Sequence, residues 1–171
     1  MRGENWAGIT ASLSDGGGQS LAAYSLSGAR LLVGVMSFRS PVGLSRRREL
    51  RQSLRLTPAA AVRFVLSNST PDEDAATPDM LLLDVAESGR TLGTYLLTNA
   101  FFRHALKLQP SIAFVGRADD DGFFDPPTVL AELEASGLGP SIVYGPFHEW
   151  GQWLPTSMVT ACFAYAAPSS L

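Results

Sequence analysis

An α/β sandwich with a mostly parallel sheet is the fold class this sequence predicts, and three observations carry it. Short unbroken apolar runs, LLVGVM at residues 31–36, RFVL at 63–66, DMLLLDV at 79–85 and SIAFV at 111–115, alternate with segments of helical pattern. The runs do not alternate apolar with polar residues, as expected of strands covered by helices on both faces. At 171 residues, with 46% hydrophobic and 17% charged residues, the chain has the size of one domain and the apolar content to build its core.

Residues 1–29, rich in Gly and Ser (SDGGGQS), read as a flexible leader, leaving residues 30–171 as the folded part. After the first strand, SRRRELRQSL reads as a helix with Ser45 as N-cap and one strongly basic face. SNSTPDEDAATPD is a loop by its Pro, Asn and Asp content. From 90 to 108, Leu97, Phe101, Ala105 and Leu108 recur at spacings of 4, 4 and 3, which predicts a helix with one buried stripe. The strand at 111–115 runs almost directly into RADDDGFF, and Asp125 then caps a helix with Pro126 and Pro127 in its first turn, ending at Gly137. The tail beyond is aromatic and broken by proline, and no element is assigned to it. In such a sheet, ligands bind beyond the carboxyl ends of the strands.

Charge is divided unevenly along the chain. Eight arginines (30, 39, 46, 47, 48, 51, 55 and 63) stand against Glu49 alone between residues 30 and 63, whereas seven acids and no Lys or Arg follow Arg117. A basic part facing an acidic part suits a ligand that is itself anionic and metal-bound. The single cysteine, Cys162, excludes an internal disulfide and a cysteine-based zinc cluster. No run approaches the ~20 apolar residues of a membrane span, and MRGENWAGIT lacks the apolar region of a secretory signal.

The chemistry concentrates in RADDDGFFD, three adjacent carboxylates just past a buried strand. Their mutual repulsion makes a hard divalent cation the natural partner, with oxygen ligation favouring Mg²⁺, Mn²⁺ or Ca²⁺. If the segment is extended, Asp119 and Asp121 point one way and Asp120 the other. Three readings compete. A calcium loop with Gly122 as its invariant glycine puts Arg117 at the first ligand position and Thr128 where a bidentate Glu belongs. A phosphatase of the haloacid dehalogenase type needs a later lysine, and none follows. The third reading is a nucleotide-sugar glycosyltransferase, whose Asp-x-Asp holds the metal against a diphosphate.

Residues 31–38, SRRRELRQSL, RFVLSNS and RADDDGFF, in this order, resemble the inverting β1,3-galactosyltransferases and β1,3-N-acetylglucosaminyltransferases over roughly residues 31–153. YGPFHEWGQWLP is similar to an aromatic segment of some lower-eukaryote members. Leu54 and Ser53 stand where the family has Trp and Thr, Arg90-Thr91 where it has Lys-Thr, and Arg117 where it has Lys. The resemblance implies a GT-A-like nucleotide-sugar-binding sandwich, of which these residues cover the donor part. The C-terminal acceptor half, with the acidic catalytic base it brings, is expected beyond Leu171. The implied activity is that of a hexosyltransferase that moves galactose or N-acetylglucosamine from a UDP-sugar to a glycan or glycoprotein hydroxyl with inversion. Mn²⁺ or Mg²⁺ is the implied cofactor and the Golgi the implied location, with no nucleic-acid partner.

By the same resemblance Asp119 and Asp121 form the metal pair and Asp120 lies nearer the ribose or sugar. Ser37, Phe38 and Arg39 sit where a loop after the first strand meets the nucleotide, and Arg51 and Arg90 are candidates for the diphosphate, since Arg offers paired donors to phosphate oxygens. Arg46–48 read as a largely solvated face. The competing class is a module that binds a nucleotide sugar with metal but does not turn it over. Glu149, Trp150 and Trp153 could flank a sugar, and Asn68-Ser69-Thr70 is a formal glycosylation sequon.

Overall fold

Strand β1 (Leu31–Met36) lies inside the sheet, paired in parallel with β2 (Ala60–Ser67) on one side and β4 (Phe114–Asp119) on the other. All six β1 residues are buried, which explains their unbroken apolar character. The sheet order is β3-β2-β1-β4-β5, with β3 (Met80–Leu83) parallel to β2 and the short β5 (Tyr165–Ala166) antiparallel to β4. The computed structural model describes residues 26, 28–67, 76–85, 90–108, 112–136 and 165–166, the side chains of residues 90, 91, 108, 165 and 166 excepted. The sequon at 68–70, the aromatic stretch 144–155 and nearly all of the tail as far as Leu171 lie outside the described residues. The acidic base expected beyond Leu171 lies outside them as well.

Helices cover both faces. Helices α1 (Pro41–Ser53) and α3 (Pro126–Ala135) bring Leu50, Leu54, Leu130 and Leu133 onto Leu31, Val33, Val35, Val62, Phe64 and Leu66. On the opposite face α2 (Arg90–Leu108) packs Leu97, Phe101 and Ala105 on Leu32, Met36, Val65, Leu81 and Val115. Three of the four residues of the stripe read from sequence, Leu97, Phe101 and Ala105, are therefore on the buried face of α2, and the side chain of the fourth, Leu108, lies outside the described residues. Successive strand residues feed these two cores in turn, and each fully buried Leu or Phe contributes about 2–3 kcal/mol relative to exposure. The four parallel strands between two helix layers form a Rossmann-like α/β fold. Among the described residues no helix is long and apolar enough to cross a membrane.

Two close approaches depend on glycine. A Cβ on Gly34 would lie 2.6 Å from the Phe101 ring, and one on Gly43 would lie 2.2 Å from the Phe38 carbonyl oxygen. The first lets α2 seat on the sheet, and the second lets the opening turn of α1 close onto the turn after β1.

Several boundaries differ from the sequence reading. Helix α1 starts at Pro41, not after Ser45: Ser40 is the N-cap, its hydroxyl accepting from the Gly43 amide at 3.0 Å, with proline at the first helical position. Ser45 instead donates to Glu49 one turn on, at 2.9 Å. Strand β4 extends through Asp119 because its register against β1 pairs Gly34 with Arg117 and Met36 with Asp119. Ala29 is fully buried and Leu26 packs beside it, so the core draws on residues placed with the leader.

Asp125 precedes α3 but turns its carboxylate to the Arg55 guanidinium beyond α1 and to the Thr128 hydroxyl. The hydrogen bond from Arg55, then that from Thr128, pull its carboxyl down to about 2. A depressed native value means the stabilisation is complete above the unfolded value of about 4 and is lost as pH falls toward 2. Asp125→Asn is therefore expected to be less stable than the parent by a constant margin above about pH 5, the margin closing between about pH 4 and 2. Urea titrations of both proteins across this range check it; a margin independent of pH would refute the assignment.

Candidate functional site

Strand order reverses between β1 and β4: the chain moves outward from β1 to β2 and β3, then returns to the other side for β4. Such a reversal leaves a crevice at the carboxyl ends of the two strands. Two turns meet there, Ser37-Phe38-Arg39 after β1 and Asp119–Asp121 at the end of β4. Helix α1 starts at this same edge, because it must carry the chain back to the amino edge where β2 begins.

Ser37 and Asp120 join the two turns. The Ser37 hydroxyl donates to Asp120 Oδ2 at 2.6 Å and accepts from Arg47 Nη1 at 3.0 Å. The same Arg47 nitrogen donates to the Phe38 carbonyl at 3.0 Å. Arg47 has no exposed surface, and Asp120 is 6% exposed. Arg46 Nη1 lies 3.1 Å from Asp120 Oδ1 and 3.4 Å from Asp121 Oδ2, and Arg117 pairs with Asp119. Arginines thus supply much of the neutralisation that the three acids require.

The alternation expected for the acids stops at Asp119. The chain leaves the strand there and turns, the Gly122 amide donating to the Asp119 carbonyl at 3.2 Å. Asp120 and Asp121 consequently share Arg46, while Asp119 shares the α2 side of the sheet with Arg117, two residues earlier on the same strand. Burial, with Asp121 and Asp120 alongside, holds the Asp119 carboxyl above its usual range against the pull of Arg117. Among the described residues no three carboxylate, His or Cys side chains are grouped to hold a metal ion. Of the expected metal pair, Asp119 is held by Arg117 and the 45% exposed Asp121 lies beside Arg46, so each carboxylate is paired with a different arginine.

The remaining expected residues divide. Phe38 is exposed and Arg39 half-buried at the crevice. Arg39 Nη2 donates to the Ser67 carbonyl at the end of β2 at 2.5 Å, whereas its Nε and Nη1 are buried with no acceptor among the described residues. Ser37 has its hydroxyl engaged on both sides within the protein. Arg90 opens α2 at the carboxyl edge, since α2 leads from the end of β3 toward the start of β4; its side chain lies outside the described residues.

Arg51 is not brought to this crevice. It sits one turn beyond Arg47, about 6 Å farther from the carboxyl edge. Its guanidinium holds the Asp79 carboxylate by two bonds of 2.7 and 3.0 Å, meets the Thr77 hydroxyl at 3.2 Å and covers the Phe64 ring at 4.8 Å. That geometry fastens the start of β3 to α1.

Arg46 and Arg47 are the site residues that the reading of a solvated basic face missed. A signal was present: Gly43, Arg47, Leu50 and Leu54 follow spacings of 4, 3 and 4, so Arg47 occupies an inward position in a stripe whose other members are small or apolar. Comparison with protein-family models and with curated protein sequences finds no match for the chain.

Proposed function

We propose that this chain is the donor-binding part of a GT-A-type glycosyltransferase, which moves galactose or N-acetylglucosamine from a UDP-sugar to a glycan hydroxyl with inversion. The observation that carries the reading is the meeting of the acidic turn with the turn at Phe38 and Arg39 at the reversal of strand order, beside the basic start of α1. Arg39 adds to it, because two of its buried nitrogens have no acceptor among the described residues and a ligand oxygen there would satisfy them. By the family resemblance, the reaction takes place in the Golgi.

In this reading Arg39 donates to the nucleotide, the exposed Phe38 ring lies beside it, and Arg90, whose backbone opens α2 at the carboxyl edge, is the candidate for the diphosphate. Asp119 and Asp121 would hold Mn²⁺ or Mg²⁺, which when bound neutralises charge on the departing diphosphate. Asp120 keeps the turn in place from within. The transfer is a single displacement: the acceptor oxygen bonds to the anomeric carbon as the bond to the diphosphate breaks, and a base takes the hydroxyl proton. None of the residues named here is assigned as that base.

Calorimetric titration with UDP in Mn²⁺ and in chelator tests the reading. Affinity is expected to be at least about tenfold higher with Mn²⁺, and Asp121→Ala to remove most of that gain, as loss of a hydrogen-bonded charge costs about 1.5–3 kcal/mol. Equal affinity in both conditions would remove the metal from the mechanism. Sugar transfer or donor hydrolysis with Mn²⁺ separates an enzyme from a module that only holds the nucleotide sugar.

A further inference from the structure

We propose that Arg47 is a positioning residue for the acidic turn, acting through Ser37 and Asp120 and touching no ligand itself; the inference rests on the crevice at the strand reversal being the binding site. A guanidinium without exposed surface is expensive to keep in a stripe where leucine would pack. Two of its bonds go to the turn after β1, to the Ser37 hydroxyl and the Phe38 carbonyl, each at 3.0 Å. Ser37 passes the connection to Asp120 at 2.6 Å. One chain of hydrogen bonds therefore runs from α1 through the end of β1 to the end of β4, across the two strands that border the crevice.

The consequence is directional. Asp120 is drawn inward toward α1, and because the chain turns between Asp119 and Gly122, that anchor leaves its neighbours Asp119 and Asp121 at the rim. The guanidinium suits this task better than an ammonium, since its planar donors can hold two acceptors in fixed directions. Arg46 fills a different role: it is partly exposed and binds the turn from the solvent side.

Amide hydrogen exchange in the full chain tests the clasp, with the Gly122 amide reporting on the acidic turn and the Ser40 amide, bonded to Phe38 O at 3.0 Å, reporting on the other. Ser37→Ala is expected to raise exchange at Gly122 by about tenfold relative to the amides of β1. Arg47→Met should raise it at both Gly122 and Ser40, and the double variant should exchange no faster at Gly122 than Arg47→Met alone, since both substitutions cut one path. Ser37→Thr keeps the hydroxyl and should restore slow exchange. Leu133→Ala, a core variant on α3, controls for general loss of stability and should not raise Gly122 selectively.

UDP affinity in Mn²⁺ is expected to fall about tenfold in Ser37→Ala and to recover in Ser37→Thr, with Leu133→Ala unaffected. If Arg47→Met does not fold, Ser37→Ala, which keeps the bond to Phe38 O, decides alone. Unchanged exchange at Gly122 in Ser37→Ala, or effects that multiply in the double variant, would overturn the clasp. Failure of UDP to bind the unsubstituted chain would count against the proposed function only, because the exchange rates decide the clasp in either case.

Discussion

Asp120→Ala is expected to cost about 3 kcal/mol of folding stability, whereas Asp121→Ala, at the next residue along the turn, should change it by no more than about 0.5 kcal/mol. The three acids look equivalent in sequence, but their surroundings are not. Asp120 accepts from Ser37 and Arg46 and is almost fully covered, so its removal leaves a buried hydroxyl and a guanidinium network without their anion. Asp121 is 45% exposed, and its contact with Arg46 is screened by water. Nucleotide binding should rank the two in the opposite sense once folding is controlled for, with Asp121→Ala losing the gain from Mn²⁺. Asp120→Asn, which keeps an acceptor oxygen but no charge, should fall between. Urea midpoints for the three variants at pH 7 without metal decide the matter; equal midpoints for the two alanine variants would show that the inward hydrogen bonds carry no stability.

Phe101→Ala should be the more damaging core change, at about 4 kcal/mol, because the ring is fully buried between α2 and the sheet and no neighbour can collapse fully into its place. Gly34→Ala alone should cost about 2 kcal/mol, since its methyl would meet three ring atoms at 2.6–2.7 Å. Combined, the two should not add. With the ring gone, the methyl introduced at position 34 enters the vacated space, and Gly34→Ala in the Phe101→Ala background should be nearly neutral. Thermal or urea unfolding of the four proteins in the cycle measures the coupling; simple additivity would mean that Phe101 does not rest on Gly34 as the structure has it. The row across the sheet at this height, Arg63-Gly34-Arg117, explains why glycine serves here: two long side chains flank the position, and the ring needs the gap between them.

The alternation of apolar runs with amphipathic segments was enough to determine the class of the fold, because a parallel strand covered on both faces must be apolar throughout and its crossover helix must bury one stripe. Leu31–Met36, the Leu97-Phe101-Ala105 stripe of α2 and the proline-led start of α3 were legible on that basis. So was the placing of Asp120 and Asp121 beyond a strand end, with Phe38 and Arg39 beyond another, although Asp119 proved to be the last residue of β4. Tertiary structure alone decided which charges meet. Sequence spacing could not show that Asp120 faces α1 while Asp119 is held by Arg117, because that depends on where β4 ends, and its end follows from its register on β1. Nor could it separate Arg47, buried and bonded to the turn after β1, from Arg51, bound to Asp79 at the start of β3. Both arginines lie on one helix face, but the helix runs antiparallel to the strands, so a single turn carries a guanidinium from the crevice to the body of the sheet.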